Sequence, residues 1–302
     1  MYQTPSAYQN PQIEFAIIFS EGDQLKSLFQ YIDISETVGT LSISSAGVSY
    51  EGNSLRYWNY IKFQLYSNQL IEFNYNTALL DSIDSTTLPE DQYDRTEKVR
   101  KVNFNYEYLA SLIGTIGKNE VELIKYLGIN EIILNIKKGG HVMTHRVQML
   151  PIIATQLKVK EVNRNTPNCK ITGNNMRSRT TSAKQTKPSC VAFHYADNNL
   201  YLNSIIDGVS TVNWLYARDG NSQLGLSIPN NTTYIRVSKD YFIKALPKLC
   251  DVVDTGVLGF YMDKDPSWVM YNNNHHNIKP MEVTGKIGSM GEFVLYLLDI
   301  NE

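Results

Sequence analysis

The stretches FNYEYLASLI (104–113) and VSKDYFIKAL (237–246) align without a gap. Asn105 matches Ser238, and both are residue types that cap a helix N-terminus through a side-chain oxygen. Glu107 matches Asp240, an acid in the first turn, where the helix dipole favours negative charge. Tyr108 matches Tyr241, Leu109 matches Phe242, and Leu112–Ile113 match Ala245–Leu246, so the apolar stripe repeats as well. Capping chemistry alone would give the first two matches by convergence. The surrounding order of elements agrees too: each stretch lies in a strand-to-helix step, follows a hairpin and a long strand, and precedes further hairpins. The chain therefore reads as two copies of one α+β unit.

Working outward, EFAIIFS (14–20) is a strand rich in Ile and Phe. GDQLKSLFQYIDIS then switches to helical spacing, with Leu25, Leu28, Phe29 and Ile32 on one stripe and Asp23 placed as N-cap. TLSISSAGVSYEG (40–52) predicts a hairpin around Ser-Ala-Gly, and LRYWNYIKFQLYSNQLIEFNY (55–75) two more strands. Residues 77–101 break the pattern and read as a polar, exposed loop. A helix is expected from Asn105 to a stop at Gly117. EVELIKY, NEIILNIKK and HVMTHRVQML follow as strands, with turns at Gly128 and Gly139–Gly140; the first is also compatible with a helix.

The second half restarts with CKIT as a strand and GNNMRSRTTSAKQTK as a helix poor in helix formers. SCVAFHYADNNLYLNSII (189–206) predicts a hairpin, GVSTVNWLYAR a strand, and TTYIRVSKDYFIKALPKL (232–249) the repeated strand-helix step. VLGFYMDKDPSWVMY (257–271) predicts a hairpin and GEFVLYLLDI (291–300) the last strand. The expected organisation is a first domain at 12–150 with the insert 77–101, a connector at 151–168, and a second domain at 169–302.

Composition fits this reading. With 302 residues, 42% hydrophobic and 19% charged, the chain is long enough for two cores and too apolar to stay disordered. Its 20 tyrosines favour strands over an all-helical fold. A net charge of -2 means that any nucleic-acid surface must be local. Cys169, Cys190 and Cys250 are too far apart for a C-x-x-C motif and read as buried free thiols. The polar start MYQTPSAYQNPQ does not resemble a signal peptide, and no apolar run approaches the roughly 18–20 residues of a membrane span, so an intracellular, soluble protein is expected.

Catalytic motifs such as G-x-S-x-G and H-E-x-x-H are absent, and so is a phosphate-cradling glycine loop. His275–His276 sit in NNNHHN, read as a loop, where neighbouring imidazoles chelate one ion poorly. His141, His145 and His194 fall in strand patterns, and DKDPS (263–267) reads as a turn. No catalytic residue, metal or cofactor is expected.

The element order of the two halves resembles the DNA sliding-clamp family typified by proliferating cell nuclear antigen. FSEGDQLKSLFQYI, SSAGVSYEG, VNFNYEYLASLIGTIGKNEVELIKY, YIRVSKDYFIKALPKL, VLGFYM and GEFVLYLLDI carry the likeness. The insert at 77–101, the helix former-poor segment after CKIT and the weak net charge depart from it. The resemblance implies two similar clamp domains, with antiparallel sheets outside and helices on an inner face. It also implies a DNA polymerase processivity factor rather than an enzyme. Such a protein would be a homo-oligomeric ring, expected as a trimer, around duplex DNA, acting in the nucleus or at the viral replication site of an infected cell. A β-rich viral capsid or assembly protein is the alternative, and an enzyme on an unrecognised α/β scaffold a third.

In a clamp, DNA contacts go to phosphates through Lys and Arg on exposed helix faces, without sequence preference. The candidates are Lys26, Lys118, Arg177, Arg179, Lys184, Lys187, Lys239, Lys244 and Lys248, of which the acid-free run 177–187 is the most specific. The resemblance further implies that replication proteins dock short peptides beside the connector, at Leu150, Pro151 and Ile152; the alternative is that this stretch is simply a strand. Head-to-tail edges are expected at HVMTHRVQM (141–149), with Val142, Thr144 and Arg146, and at GVSTVNWLYAR (208–218), with Val212, Trp214 and Tyr216.

Overall fold

The computed structural model describes residues 12–113, 120–155, 157–159, 169–186, 188–196, 199–206, 209–216, 222–224, 233–253, 256–262, 267–271, 274–278 and 280–299. Four helices shape one face of the molecule: α1 (Gly22–Ile34), α2 (Tyr106–Ile113), α3 (Gly173–Thr186) and α4 (Leu246–Val253). A π-helical turn, Tyr241–Ala245, leads into α4. They pack in a row, α2 on α1, α1 on α4 and α4 on α3. Leu25 and Phe29 of α1, Leu109 and Ile113 of α2, Phe242 of the π-helical turn and Leu246 of α4 are all buried beneath the row in one core, as the apolar stripes predict.

All strand pairings among the described residues are antiparallel, and the two halves are wired alike. In the first half, His141–Gln148, Glu131–Lys138, Glu120–Tyr126 and Ile13–Phe19 lie side by side. In the second, Gly291–Leu297, Met281–Ile287, Val257–Met262 and Cys169–Thr172 repeat that order. A second run in the first half, Asn59–Tyr66, Gly47–Ser54, Val38–Ser44 and Val99–Val102, corresponds to Val209–Tyr216, Asn199–Ile206, Cys190–Ala196 and Thr233–Ser238 in the second. The duplication read from two helices thus extends to the sheets.

The halves join where Gly291–Leu297 pairs with Leu65–Asn59, which makes one nine-stranded sheet across the chain. A Cβ on Gly291 would lie 1.9 Å from the Gln64 carbonyl oxygen, so the strands close only around glycine. Above this joint, α1 meets the π-helical turn. The hydroxyls of Tyr31 and Tyr241, both buried, are 2.9 Å apart, and the Tyr57 ring lies 5.7 Å from that of Tyr241.

Local chemistry explains the helices. Asn105 Oδ1 accepts from the Tyr108 N–H at 2.8 Å, and Ser238 Oγ accepts from the Tyr241 N–H at 3.1 Å, so the matched caps make the same bond three residues on. Helix α3 forms despite its composition because Met176, Thr180 and Ala183 are buried, and tertiary packing outweighs propensity. Its hydroxyls fold back on the backbone: Thr180 and Thr181 donate to the Arg177 carbonyl and Ser182 to that of Ser178.

Four readings need correction. Asp23 lies inside α1; the cap position is Glu21, whose carboxylate accepts from the backbone and hydroxyl of Ser289 instead. The insert 77–101 is built rather than a bare loop, with a helical turn Thr77–Asp81, the strands Tyr93–Asp94 and Val99–Val102, and a small core of Leu80, Leu88 and Tyr93. Residues 257–271 are not one hairpin, because Val257–Met262 joins the nine-stranded sheet while Ser267–Tyr271 pairs elsewhere. His275 and His276 belong to the strand Asn274–Ile278, paired with Ser267–Tyr271. The connector contributes the strand Leu157–Val159 to that same small sheet. The expected stop at Gly117 lies outside the described residues. Cys169 and Cys250 are buried and Cys190 partly so, all free as expected, with the Cys250 thiol pushed up to about 12 by burial.

Candidate nucleic-acid interface

The solvent side of the helix row divides sharply by charge. In the first half, α1 and α2 carry one base, Lys26, against three acids, Asp23, Asp33 and Glu107. In the second, α3 and the segment 239–253 carry Arg177, Arg179, Lys184, Lys239, Lys244 and Lys248 against Asp240 and Asp251 alone. Burial raises the Asp33 carboxyl above the ordinary range, and the charges of Glu107 and Glu36 add to it, which marks this end as the negative one.

The basic side chains are only partly engaged. Lys184 and Lys244 are exposed, and Arg177, Arg179, Lys239 and Lys248 are half-buried. Arg177 pairs with Asp251, Lys248 Nζ lies 3.8 Å from the same carboxylate, and Lys244 Nζ lies 3.5 Å from Asp240. The acid-free run therefore borrows an acid from the neighbouring helix. Pairs left this open to solvent are worth little and yield readily to another anion. Lys26 is half-buried on α1; Lys118 and Lys187 lie outside the described residues. A row of helix faces with excess Lys and Arg can hold phosphates in any sequence.

Two strands, in different sheets, leave an edge open. His141–Gln148 ends its sheet, with Val142 56% and Met143 40% exposed and Thr144 and Arg146 also at the surface. Arg146 lies 3.7 Å from Glu131. Val209–Tyr216 pairs along one side with Asn199–Ile206, and its other side meets Ser222–Leu224 only at Trp214–Tyr216. Val209–Asn213, including Val212, has no second partner strand among the described residues.

Just before the connector, the Leu150 N–H donates to the Asn103 carbonyl; Asn103 Nδ2 in turn donates to the carbonyl of Pro151. Thr40 holds the Ile153 carbonyl at 2.9 Å, and Leu157 and Val159 then bury against Tyr60, Tyr296 and Leu298. Leu150 and Pro151 are exposed and Ile152 is half-buried. A groove of about 1150 Å³ on the nine-stranded sheet is lined by Glu51, Lys62, Lys170 and Glu292 together with apolar side chains such as Phe63 and Phe293.

Sequence reasoning overlooked one charged cluster. Glu14, Arg100 and Lys125 are all buried: Arg100 Nε donates to Glu14 Oε2 at 2.9 Å and Lys125 Nζ to Oε1 at 3.1 Å. Carbonyls take up further donors, those of Gln92 and Lys101 from Arg100 and those of Tyr126 and Ile129 from Lys125. Charged residues spaced along apolar strands are the only hint that the sequence offers. The cluster is closed to solvent and binds the insert to the first sheet. Among the described residues, no group of three His, Cys, Asp or Glu side chains is placed to hold a metal ion, and no helix is long and apolar enough to cross a membrane.

No family model matches the chain, and no curated protein matches it in sequence. Solved structures do match its fold. One, from the PCNA2–PCNA3 complex of Sulfolobus tokodaii, is 15% identical with a TM-score of 0.66, over 95% of this chain and 100% of that one. Another, the proliferating cellular nuclear antigen of Entamoeba histolytica, is 10% identical with a TM-score of 0.65, over 95% of this chain and 99% of that one. The chain has the two-domain sliding-clamp fold, with antiparallel sheets and a helix row on one face.

Proposed function

We propose that the protein is a DNA polymerase processivity factor, a non-enzymatic sliding clamp whose copies close head-to-tail around duplex DNA. The observation that carries the reading is the row of four packed helices, with six bases against two acids on its second half, beside a nine-stranded sheet that runs across both halves. A positively charged surface of this kind holds phosphates electrostatically and lets them slide. Ring closure is supported by the repeat. The internal joint pairs the last strand of the second half with Asn59–Leu65, and the corresponding strands, each with one edge unpaired among the described residues, are His141–Gln148 and Val209–Asn213. On this reading three copies pair these edges in turn, and domains at 12–150 and 169–302 flank the connector 151–168. The site of action is where duplex is replicated, the nucleus or the viral replication site of an infected cell.

Replacing Arg177, Arg179, Lys184, Lys244 and Lys248 together with Ala tests the surface. Because Asp240 and Asp251 already offset part of this charge, we expect the salt slope of duplex binding to fall by about three to four units. The parent's advantage should then shrink by roughly a hundredfold between about 50 and 200 mM salt, with no change in sequence preference. Equal affinities and slopes would mean that these faces are merely solvated.

Partner docking belongs to the same proposal. Leu150, Pro151 and Ile152 sit at the exposed start of the connector, where a short peptide with apolar anchors would add to the chain. Leu150→Asp with Ile152→Asp should weaken a polymerase-tail peptide at least about tenfold in fluorescence anisotropy, since a carboxylate in an apolar contact is costly to desolvate. Undiminished binding would move the docking site elsewhere.

A further inference from the structure

We infer that an extra pair of strands in the second half is a clasp: it holds the connector in a cleft at the joint between the halves. When the clasp opens, the cleft takes an extended segment of another protein in the connector's place. The inference goes beyond the clamp reading and uses no part of the ring. On the strands that meet at the joint, Ile61 and Leu295 stand opposite each other and bury in the main core with the helices. Alternation turns their neighbours Tyr60 and Tyr296 to the other face of the sheet, directly opposed, with ring centres 6.0 Å apart. With Leu298 they form a small apolar cluster separate from that core, and Trp58 and Val294 pack against it. Trp58 does so with φ at +47°, a conformation that a bulky residue rarely adopts and that persists only where the surroundings dictate it.

The occupant shows what the cleft takes. Leu157 and Val159 of the connector are both buried in it, two residues apart on an extended strand. Asn53 Oδ1 accepts from the Leu157 N–H at 3.4 Å. The internal repeat identifies the clasp. In the first half, Glu120–Tyr126 passes to Glu131–Lys138 through residues 127–130 alone. The equivalent step in the second half, from Val257–Met262 to Met281–Ile287, spans residues 263–280 and includes the paired strands Ser267–Tyr271 and Asn274–Ile278. Ser267–Tyr271 lies along the connector, with Tyr271, Met270 and Val269 opposite Leu157, Lys158 and Val159. This sheet has only three strands, and the connector's is three residues long. So few bonds place it among the elements that open locally while the rest of the fold stays closed. A competing segment sees the cleft only in that open fraction. Its chemistry follows from the occupant: an extended stretch with aliphatic side chains two residues apart.

Fluorescence anisotropy with a labelled peptide of the connector's own sequence, residues 153–163, tests both parts on the full chain. The parent should bind it weakly. Leu157→Ser with Val159→Ser withdraws the internal occupant and should tighten binding at least about tenfold, because the cleft is then open throughout. Replacing residues 263–280 with the first half's turn, 127–130, should have the same effect with the connector unaltered. The same peptide with Ser in place of Leu157 and Val159 should bind none of these proteins. Should the shortened chain lose its fold in urea unfolding, Lys158→Cys with Met270→Cys, a directly opposed pair, locks the strands when oxidised. The oxidised form should bind the peptide at least about tenfold more weakly than the reduced one. A folded Ser variant that binds no more tightly than the parent overturns the cleft as a binding site. Equal affinities of parent and shortened chain, or of the oxidised and reduced pair, overturn the clasp. Neither result needs DNA or assembly, so the ring reading stands or falls separately.

Discussion

Raising the pH above about 10 is expected to unfold the protein within roughly two units, well before ordinary backbone damage. Tyr31, Tyr50, Tyr106 and Tyr241 are buried in the shared core, and burial raises each phenol above its ordinary value of 10.0. In the unfolded chain these phenols ionise near 10, while in the folded chain they keep their protons. The unfolded state therefore binds fewer protons above that pH, and stability falls as pH rises through the folded values. Each group contributes a slope of at most about 1.4 kcal/mol per pH unit, and the four together about 5.5. Against a typical total of about 5–15 kcal/mol, this ends the fold near pH 12. Lys125 acts in the opposite direction, since burial lowers its pKa, but it is a single group. Circular dichroism against pH, followed together with tyrosinate absorbance at 295 nm, checks the expectation. Coincident transitions would support it; ionisation of the phenols with retained structure would contradict it.

Glu14→Gln should cost about 3–5 kcal/mol, which is the range for breaking a buried ion pair by removing one partner. The amide keeps the shape but leaves Arg100 and Lys125 buried with no counter-charge beside them. Urea unfolding at neutral pH measures the loss. The deficit should shrink as pH approaches 10. A lysine whose folded pKa is depressed gains stability as pH rises toward its unfolded value, and without Glu14 the depression deepens. A loss under about 1 kcal/mol, or one independent of pH, would mean that carbonyls alone satisfy these cations.

How far the sequence could be read depended on where the information lay. Helix caps were legible because Asn105 and Ser238 act within three residues of themselves. The strands of the first half were legible because apolar alternation is also local. Helix α3 was a weak signal, since its stability comes from Met176, Thr180 and Ala183 packed against α4 rather than from propensity. The insert looked like a loop because its core is only Leu80, Leu88 and Tyr93, too sparse to show a period. Residues 257–271 looked like a hairpin because sequence cannot say that Val257–Met262 prefers Met281–Ile287 as its partner. The bases of α3 and α4 were legible as a run, but their pairing with Asp251 and the acidity of α1 and α2 depend on which helices touch. The same holds for Glu14, Arg100 and Lys125, drawn together from three strands.

Retention on DNA of different topology tests the clamp reading most directly. The protein, loaded on nicked circular plasmid at low salt, is challenged with high salt and followed by gel filtration, with half of each sample cut once by a restriction enzyme. A closed ring should stay with the circle after the salt has screened its phosphate contacts, and should leave the linear molecule from its ends. Loss from circular and linear DNA at the same salt, with the protein assembled in both cases, would mean that it binds duplex from one side and does not encircle it.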